Sequence, residues 1–277
     1  MTITKGIFPQ GKKKSLIFSY DDDYRSNVKL ADMFRRYGVK ATFNFNGVGI
    51  AEDGTQDGAA KPIISKSEVK AISEDFEVAC HGYRHPAYGY LNCAQVADDL
   101  ICDRRALEEI VGKPIRGFAL PSGVFSEETK AILKSCGVVY SRTINDSRNF
   151  DMPADFLEWN TTIKHDQFDE LYALGEAYCK GSWRLNTYLS CFLIYGHSYE
   201  LDPPEKWEKL EEFVRRMAGH DDIWYTTCID LYDYMQALNG LIMTVDGTCV
   251  INPSLTDVWV QADGKPTLIP AGQTVRL

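Results

Sequence analysis

Short apolar runs alternate with stretches of helical periodicity along most of the chain. Residues 15–20 (SLIFSY) are apolar with no polar face and predict a strand buried on both sides. Residues 26–37 predict a helix stopped by Gly38, and residues 41–45 (ATFNF) a second strand. After a Gly-rich loop, residues 65–75 predict a helix and 77–80 a strand. Within 92–111, Val96, Leu100, Leu107 and Ile110 fall near helical spacing, and Gly112 and Pro114 end the run. Further strands are expected at 115–118, 138–140, 189–194 and 223–225, with helices at 126–135, 169–179, 203–218 and 229–238. Strands that alternate with helices are joined by right-handed crossovers between parallel neighbours, which predicts an α/β sheet or barrel.

The texture changes beyond Asn239 and Gly240. β-type runs at 241–245, 258–261 and 274–277 are broken by Asp246-Gly247 and Asp263-Gly264 turns. The expected organisation is an α/β body over 1–240 and a small β appendage over 241–277, too short to stand alone and packed on that body. No internal repeat is present.

Composition narrows the function classes. A chain of 277 residues that is 44% hydrophobic and 25% charged is ordinary globular material. Its net charge of −9 speaks against a nucleic-acid or anionic-membrane partner, and Lys12-Lys13-Lys14 is expected to be a solvated flank of the first strand. No segment approaches the ~20 apolar residues of a membrane helix, and residues 1–10 lack the apolar stretch of a secretory signal. Eight scattered cysteines without a C-x-x-C pair read as free thiols, so the cytoplasm is the expected compartment.

Three places carry candidate chemistry. Asp21-Asp22-Asp23 directly follows the first strand, and adjacent carboxylates repel unless a cation or strong donors order them. His81 and His85 follow another strand. Extended, they would stand ~13 Å apart, whereas a helical turn brings both imidazoles to one face, where they can hold one metal ion. His197 ends a third apolar run. All three positions fall at the carboxyl ends of predicted parallel strands, the rim on which α/β barrels and open sheets assemble active sites. His165 and His220 lie in polar contexts that predict exposure, Trp183, Trp207 and Trp224 read as core or groove wall, and Glu200 and Asp202 either as substrate contacts just after His197 or as charges preceding a helix.

The series Ser19-Tyr20-Asp21-Asp22-Asp23, His81-Gly82-Tyr83-Arg84-His85, Phe118 to Gly123 (FALPSG) and Leu193 to His197 resembles the polysaccharide deacetylases, the NodB-homology enzymes of carbohydrate esterase family four, over roughly residues 13–238. The resemblance implies a distorted (β/α)7 barrel and a hydrolase that removes an acyl group from an amide nitrogen of a sugar or sugar-like substrate. It implies Asp21 as catalytic base, His197 as catalytic acid, and Asp22, His81 and His85 as ligands of a divalent metal. Zinc is the expected ion, with cobalt and nickel compatible with the same ligands. Tyr24, Arg84, Pro121 and Arg142 are the candidates for substrate or oxyanion contacts. A non-sugar amide hydrolase and an inactive glycan-binding barrel are the competing readings. The partner is a small molecule or glycan, with a homo-oligomer left open.

Departures from the family pattern set further expectations. Asp23 replaces a glycine and Gly82 a Ser or Thr. Ala119 and Ser122 replace the arginine and aromatic residue of the third motif, and no Asp-Trp fourth motif is found. Without a guanidinium from Arg84, Arg116 or Arg142, the pKa of Asp21 is expected above that of a member with the arginine. Without the aromatic wall, a small N-acyl compound is expected to be preferred over a long polymer.

Overall fold

The computed structural model describes residues 2–55 and 62–277; residues 56–61 of the Gly-rich loop lie outside the described residues. The elements are β1 (Ile3–Thr4), β2 (Lys14–Asp21), α1 (Ser26–Tyr37), β3 (Ala41–Phe45), α2 (Lys66–Ile72), β4 (Glu77–Cys80), α3 (Cys93–Val111), β5 (Gly117–Ala119), α4 (Glu127–Ser135), β6 (Tyr140–Asp146), β7 (Trp159–Thr161), β8 (Ile163–Lys164), α5 (Phe168–Lys180), α6 (Trp183–Thr187), β9 (Ser190–His197), α7 (Pro204–Met217), β10 (Ile223–Tyr225) and α8 (Cys228–Asn239). Short strands follow: β11 (Ile242–Met243), β12 (Cys249–Ile251), β13 (Val258–Ala262), β14 (Lys265–Ile269) and β15 (Thr274–Arg276).

Parallel pairing in the order β7-β6-β5-β4-β3-β2-β9-β8 builds a distorted (β/α)7 barrel. The edge of β2 is shared: its upper half pairs β3 and its lower half β10. Closure comes from a segment absent from the sequence prediction. β7 pairs β6, β8 pairs β9, and only Thr162 separates β7 from β8, its N–H donating to the Leu193 carbonyl at 2.8 Å.

Every residue of β2 is buried because the strand has helices outside and the barrel interior within. Alternation turns Leu16, Phe18 and Tyr20 toward the helical layer, where they join the core that holds Leu30, Phe34, Phe192 and Phe213. Ile17, Ser19 and Asp21 face the barrel axis, so the strand's last inward position carries a carboxylate. The helix boundaries follow local chemistry. Ser65 and Glu68 form a capping box on α2, Asn92 and Gln95 another on α3, and Gly112 ends α3 at φ 75°.

The C-terminal strands form two small sheets, β11-β12-β15 and β1-β13-β14. The second recruits β1, paired antiparallel with β13, which the sequence pattern did not foretell. Val250, Val258, Val260 and Ile269 share a core with Phe8 and with Leu231, Tyr234 and Leu238 of α8. No helix among the described residues is long and apolar enough to cross a membrane.

Candidate functional site

The site sits where β2, β4, β5, β6 and β9 end. Asp21 is the last residue of β2, and Asp22 takes φ 72°, a left-handed turn that Asp tolerates better than most side chains. That turn resolves the difficulty that adjacent residues of a strand face opposite ways: the carboxylates of both Asp21 and Asp22 reach toward His81 and His197. The Asp22 N–H donates to the Asn44 carbonyl at 3.1 Å and the Asn27 amide donates to the Asp22 carbonyl at 2.7 Å, which fixes the turn.

Asp21 is 1% exposed. Its Oδ1 accepts hydrogen bonds from the Asn44 amide at 2.9 Å and from the Arg142 guanidinium, while Oδ2 lies 4.0 Å from His81 Nε2 and 3.9 Å from His197 Nε2. Burial works against the charged form, yet Arg142, His81 and His197 outweigh it and hold the carboxyl below its ordinary pKa. Of the three arginines considered, Arg142 takes the place. It stands on β6 in register with Ala119 of β5, so the guanidinium arrives from one strand over. The expectation of a raised Asp21 pKa held only without such a guanidinium, and Arg142 supplies it. Arg116 instead pairs with Asp233 at 3.1 Å, and Arg84 is exposed beside Asp99 at 3.4 Å.

After His81 the chain makes a tight turn rather than a helix, with Gly82 at φ 79° and His85 at φ 54°. The turn still brings the two imidazoles together, their centroids 4.8 Å apart. His81 is buried; its Nδ1 lies 2.8 Å from the Ala119 carbonyl and so carries the proton, which leaves the Nε2 lone pair for the site. Asp22 Oδ1 lies 3.8 Å from His81 Nε2 and 3.7 Å from His85 Nε2, and one donor atom from each of the three residues falls within 4.8 Å of the others. Ligands about 2.0–2.2 Å from one ion stand roughly 3–4 Å apart, so one carboxylate and two imidazoles so spaced fit a divalent metal.

His197 closes β9 with Nε2 3.9 Å from both Asp21 Oδ2 and Asp22 Oδ2. Its Nδ1 lies 3.1 Å from Glu200 Oε2. Burial disfavours the charged ring, but Glu200 and Asp21 carry more, leaving the pKa above its ordinary value. Glu200 also meets His165 Nε2 at 3.2 Å and Lys164 Nζ at 2.5 Å, contacts that overcome its burial and hold its carboxyl well below the usual range. His165 is fully buried, against the expectation of exposure, because the Tyr20 hydroxyl lies 2.9 Å from its Nδ1. His165 and Asn44 are site residues the sequence reading missed, and Glu200, noted there as a possible substrate contact, is instead the partner of His197 and His165. The Glu200 spacing, three residues beyond His197, was a readable signal.

Tyr24 lies tilted against Tyr199 with ring centroids 4.5 Å apart, and the Tyr199 ring lies 5.2 Å from His197, so this aromatic pair walls one side of the site. Pro121 is buried at the turn after β5, where a Cβ on Gly82 would come within 3.2 Å of its ring. Ser122 takes φ 58°, and Val124 and Ile144 are the partly exposed apolar groups of this region. Trp183, expected in the core or a groove wall, is 74% exposed.

Residues 9–141 match the family model for polysaccharide deacetylase. Over that stretch the chain matches the polysaccharide deacetylases, the NodB-homology family that its motifs resemble. The deacetylase fold extends past the matched residues. A candidate polysaccharide deacetylase from Mycobacterium smegmatis superposes with TM-score 0.62 at 17% identity, over 86% of this chain and 96% of its own. A family 4 carbohydrate esterase from Streptomyces lividans, solved with acetate, gives TM-score 0.52 at 17% identity, over 76% of this chain and 91% of its own. At such identity these likenesses establish the fold of the deacetylase domain. No curated protein matches the sequence.

Proposed function

We propose that the chain is a metal-dependent hydrolase that removes an acetyl or related acyl group from the amide nitrogen of a sugar or sugar-like substrate. The observation that carries this reading is the convergence of Asp22, His81 and His85 beside Asp21 and His197 at one rim of the barrel. Asp22, His81 and His85 would hold the ion, zinc or a similar divalent metal. When bound, such an ion supplies Lewis acidity, which polarises an acyl carbonyl and acidifies water.

The remaining chemistry belongs to the chain. With Oδ1 held by Arg142 and Asn44, Asp21 presents Oδ2 as general base and takes a proton from the attacking water. His197, charged with help from Glu200, gives a proton to the nitrogen as the C–N bond breaks. The products are a carboxylate and a free amine. Tyr24 and Tyr199 form an apolar wall beside the leaving group. An inactive glycan-binding barrel is not favoured, since all five of the residues a deacetylase would use stand together. The catalytic barrel would comprise 1–240 and the appendage 241–277.

The test combines metal analysis with acetate release from N-acetylglucosamine oligomers. Wild-type protein should carry about one divalent ion per chain and lose activity to a chelator. His81→Ala and His85→Ala should lose metal and activity together. Asp21→Asn should keep the metal while kcat falls by about 10²–10⁴. Acetate release by Asp21→Asn at the wild-type rate would overturn the assignment. With Ser122 in place of an aromatic wall, kcat/KM should change little with oligomer length; a steep rise would favour a polymer groove.

A further inference from the structure

We infer that Asp99 and Asp103 of α3, with Asn46 and Asp23, are positioning residues that build the His81–His85 turn before any metal arrives. The inference rests on the metal-site reading given above. Asp99 and Asp103 lie four residues apart on the apolar face of α3, in line with Val96, Leu100 and Leu107, and are 4% and 0% exposed. Two carboxylates on the buried face of a helix are costly unless their oxygens are fully engaged.

Their partners are the backbone of the ligand turn. The His81 N–H donates to the Phe45 carbonyl at 2.8 Å and is shared with Asp103 Oδ2 at 3.1 Å, while Asp103 Oδ1 accepts from the Gly47 N–H at 2.7 Å. Asp99 Oδ2 accepts from the Tyr83 N–H at 2.8 Å and the Tyr88 hydroxyl at 3.0 Å, and Oδ1 from the Arg84 N–H at 3.2 Å. Amide groups of residues 81, 83 and 84 are thus held by one helix face. The carbonyls of the same turn are held from the other side, where the Asn46 amide donates to both His81 and Gly82 at 2.7 Å. Asn46 is fixed in turn, its N–H donating to Asp23 Oδ1 at 2.8 Å. Gly49 makes room for Asp23, since a Cβ there would fall 1.9 Å from Asp23 Oδ2. The third aspartate of the first motif therefore has a place: it supports the loop that supports the ligands.

This arrangement matters because the turn is unfavourable by itself. His85 takes φ 54°, a left-handed conformation that is uncommon outside glycine, although histidine adopts it more readily than most side chains. A turn preformed in this way lets the ion bind without ordering the chain, and partners of ligating groups typically contribute 10–100-fold to metal affinity.

The experiment measures zinc affinity by competition with a chromophoric chelator, and folding by circular dichroism, for wild type, Asp99→Asn, Asp103→Asn and a packing control on the same helix face, Val96→Ala. Folded aspartate variants should bind zinc 10–100-fold more weakly, with Val96→Ala unchanged. Hydrogen exchange on metal-free wild-type protein supplies a measurement that needs no variant: the amides of Tyr83, Arg84 and Gly47 should be protected, and zinc should add little. Unchanged affinity in the aspartate variants, equal weakening in Val96→Ala, or fast exchange of those amides without metal would overturn the inference. Wild-type protein that binds no zinc would instead overturn the metal-site reading on which it rests.

Discussion

Asp21 and Glu77 are enclosed carboxylates on neighbouring regions of one parallel barrel, and they are driven in opposite directions. Asp21 stands at the upper end of β2 and is held below its ordinary pKa. Glu77 stands at the lower end of β4, where burial pushes its carboxyl up to about 7. Hydrogen bonding does not separate them: Glu77 accepts from the Tyr140 hydroxyl at 2.7 Å, the Thr42 hydroxyl at 2.7 Å and the Ile229 N–H at 2.9 Å. The difference is the cation. Three neutral donors leave burial dominant at Glu77, whereas one guanidinium and two imidazoles reverse it at Asp21.

The comparison breaks most sharply if the cation is removed. Arg142→Met should move Asp21 toward the position of Glu77, a buried carboxyl with only the His81 and His197 imidazoles left beside it. Removing one member of a buried pair costs about 3–5 kcal/mol, measurable by urea unfolding. Turnover at neutral pH should fall by about 10²-fold or more as the base becomes protonated. Arg142→Lys should recover part of both, since the ammonium keeps the charge and loses the planar fork.

At the other end, Glu77 should make stability depend on pH. Its folded pKa is raised, so its contribution is fully present below its ordinary value near 4.5 and is lost as pH rises through about 7. Between pH 5 and 8, the melting temperature of Glu77→Gln should therefore fall less than that of wild type. A parallel pair of curves would show that Glu77 is ionised throughout. The smallest effect is expected at Arg116, whose partner Asp233 is also partly exposed. Arg116→Gln should change stability by about 0–1 kcal/mol and leave turnover within twofold, which sharpens the choice of Arg142 over its alternatives.

Much of the barrel was legible in the sequence, because a buried parallel strand such as SLIFSY has no other reading and because Gly38 and Gly112 punctuate their helices. The closing strand was not. Residues 159–164 (WNTTIK) carry three polar side chains in a row, since the segment changes partner at Thr162 and never forms one continuous ladder. Asp21, His81 and His197 each end an apolar run, and Asp22 and His85 follow within a few residues, which is what drew attention to this rim. Arg142 could be listed as a candidate but not chosen, since register between β5 and β6 is a property of the folded sheet. Asp99 and Asp103 were hidden differently: on a helix, a buried carboxylate and a solvated one have the same sequence signature.

The pairing of β1 with β13 has a consequence for the order in which the chain folds. Ile3 is made about 260 residues before its partner Ala262. At about 5–20 residues per second, the first strand waits roughly ten seconds to a minute for its template. Throughout that interval Phe8 lacks the neighbours Val258 and Val260 that later enclose it. The body of the barrel can gather as it emerges, whereas this clasp forms last, and the nascent chain must keep its leading segment from pairing with any other exposed strand edge until then.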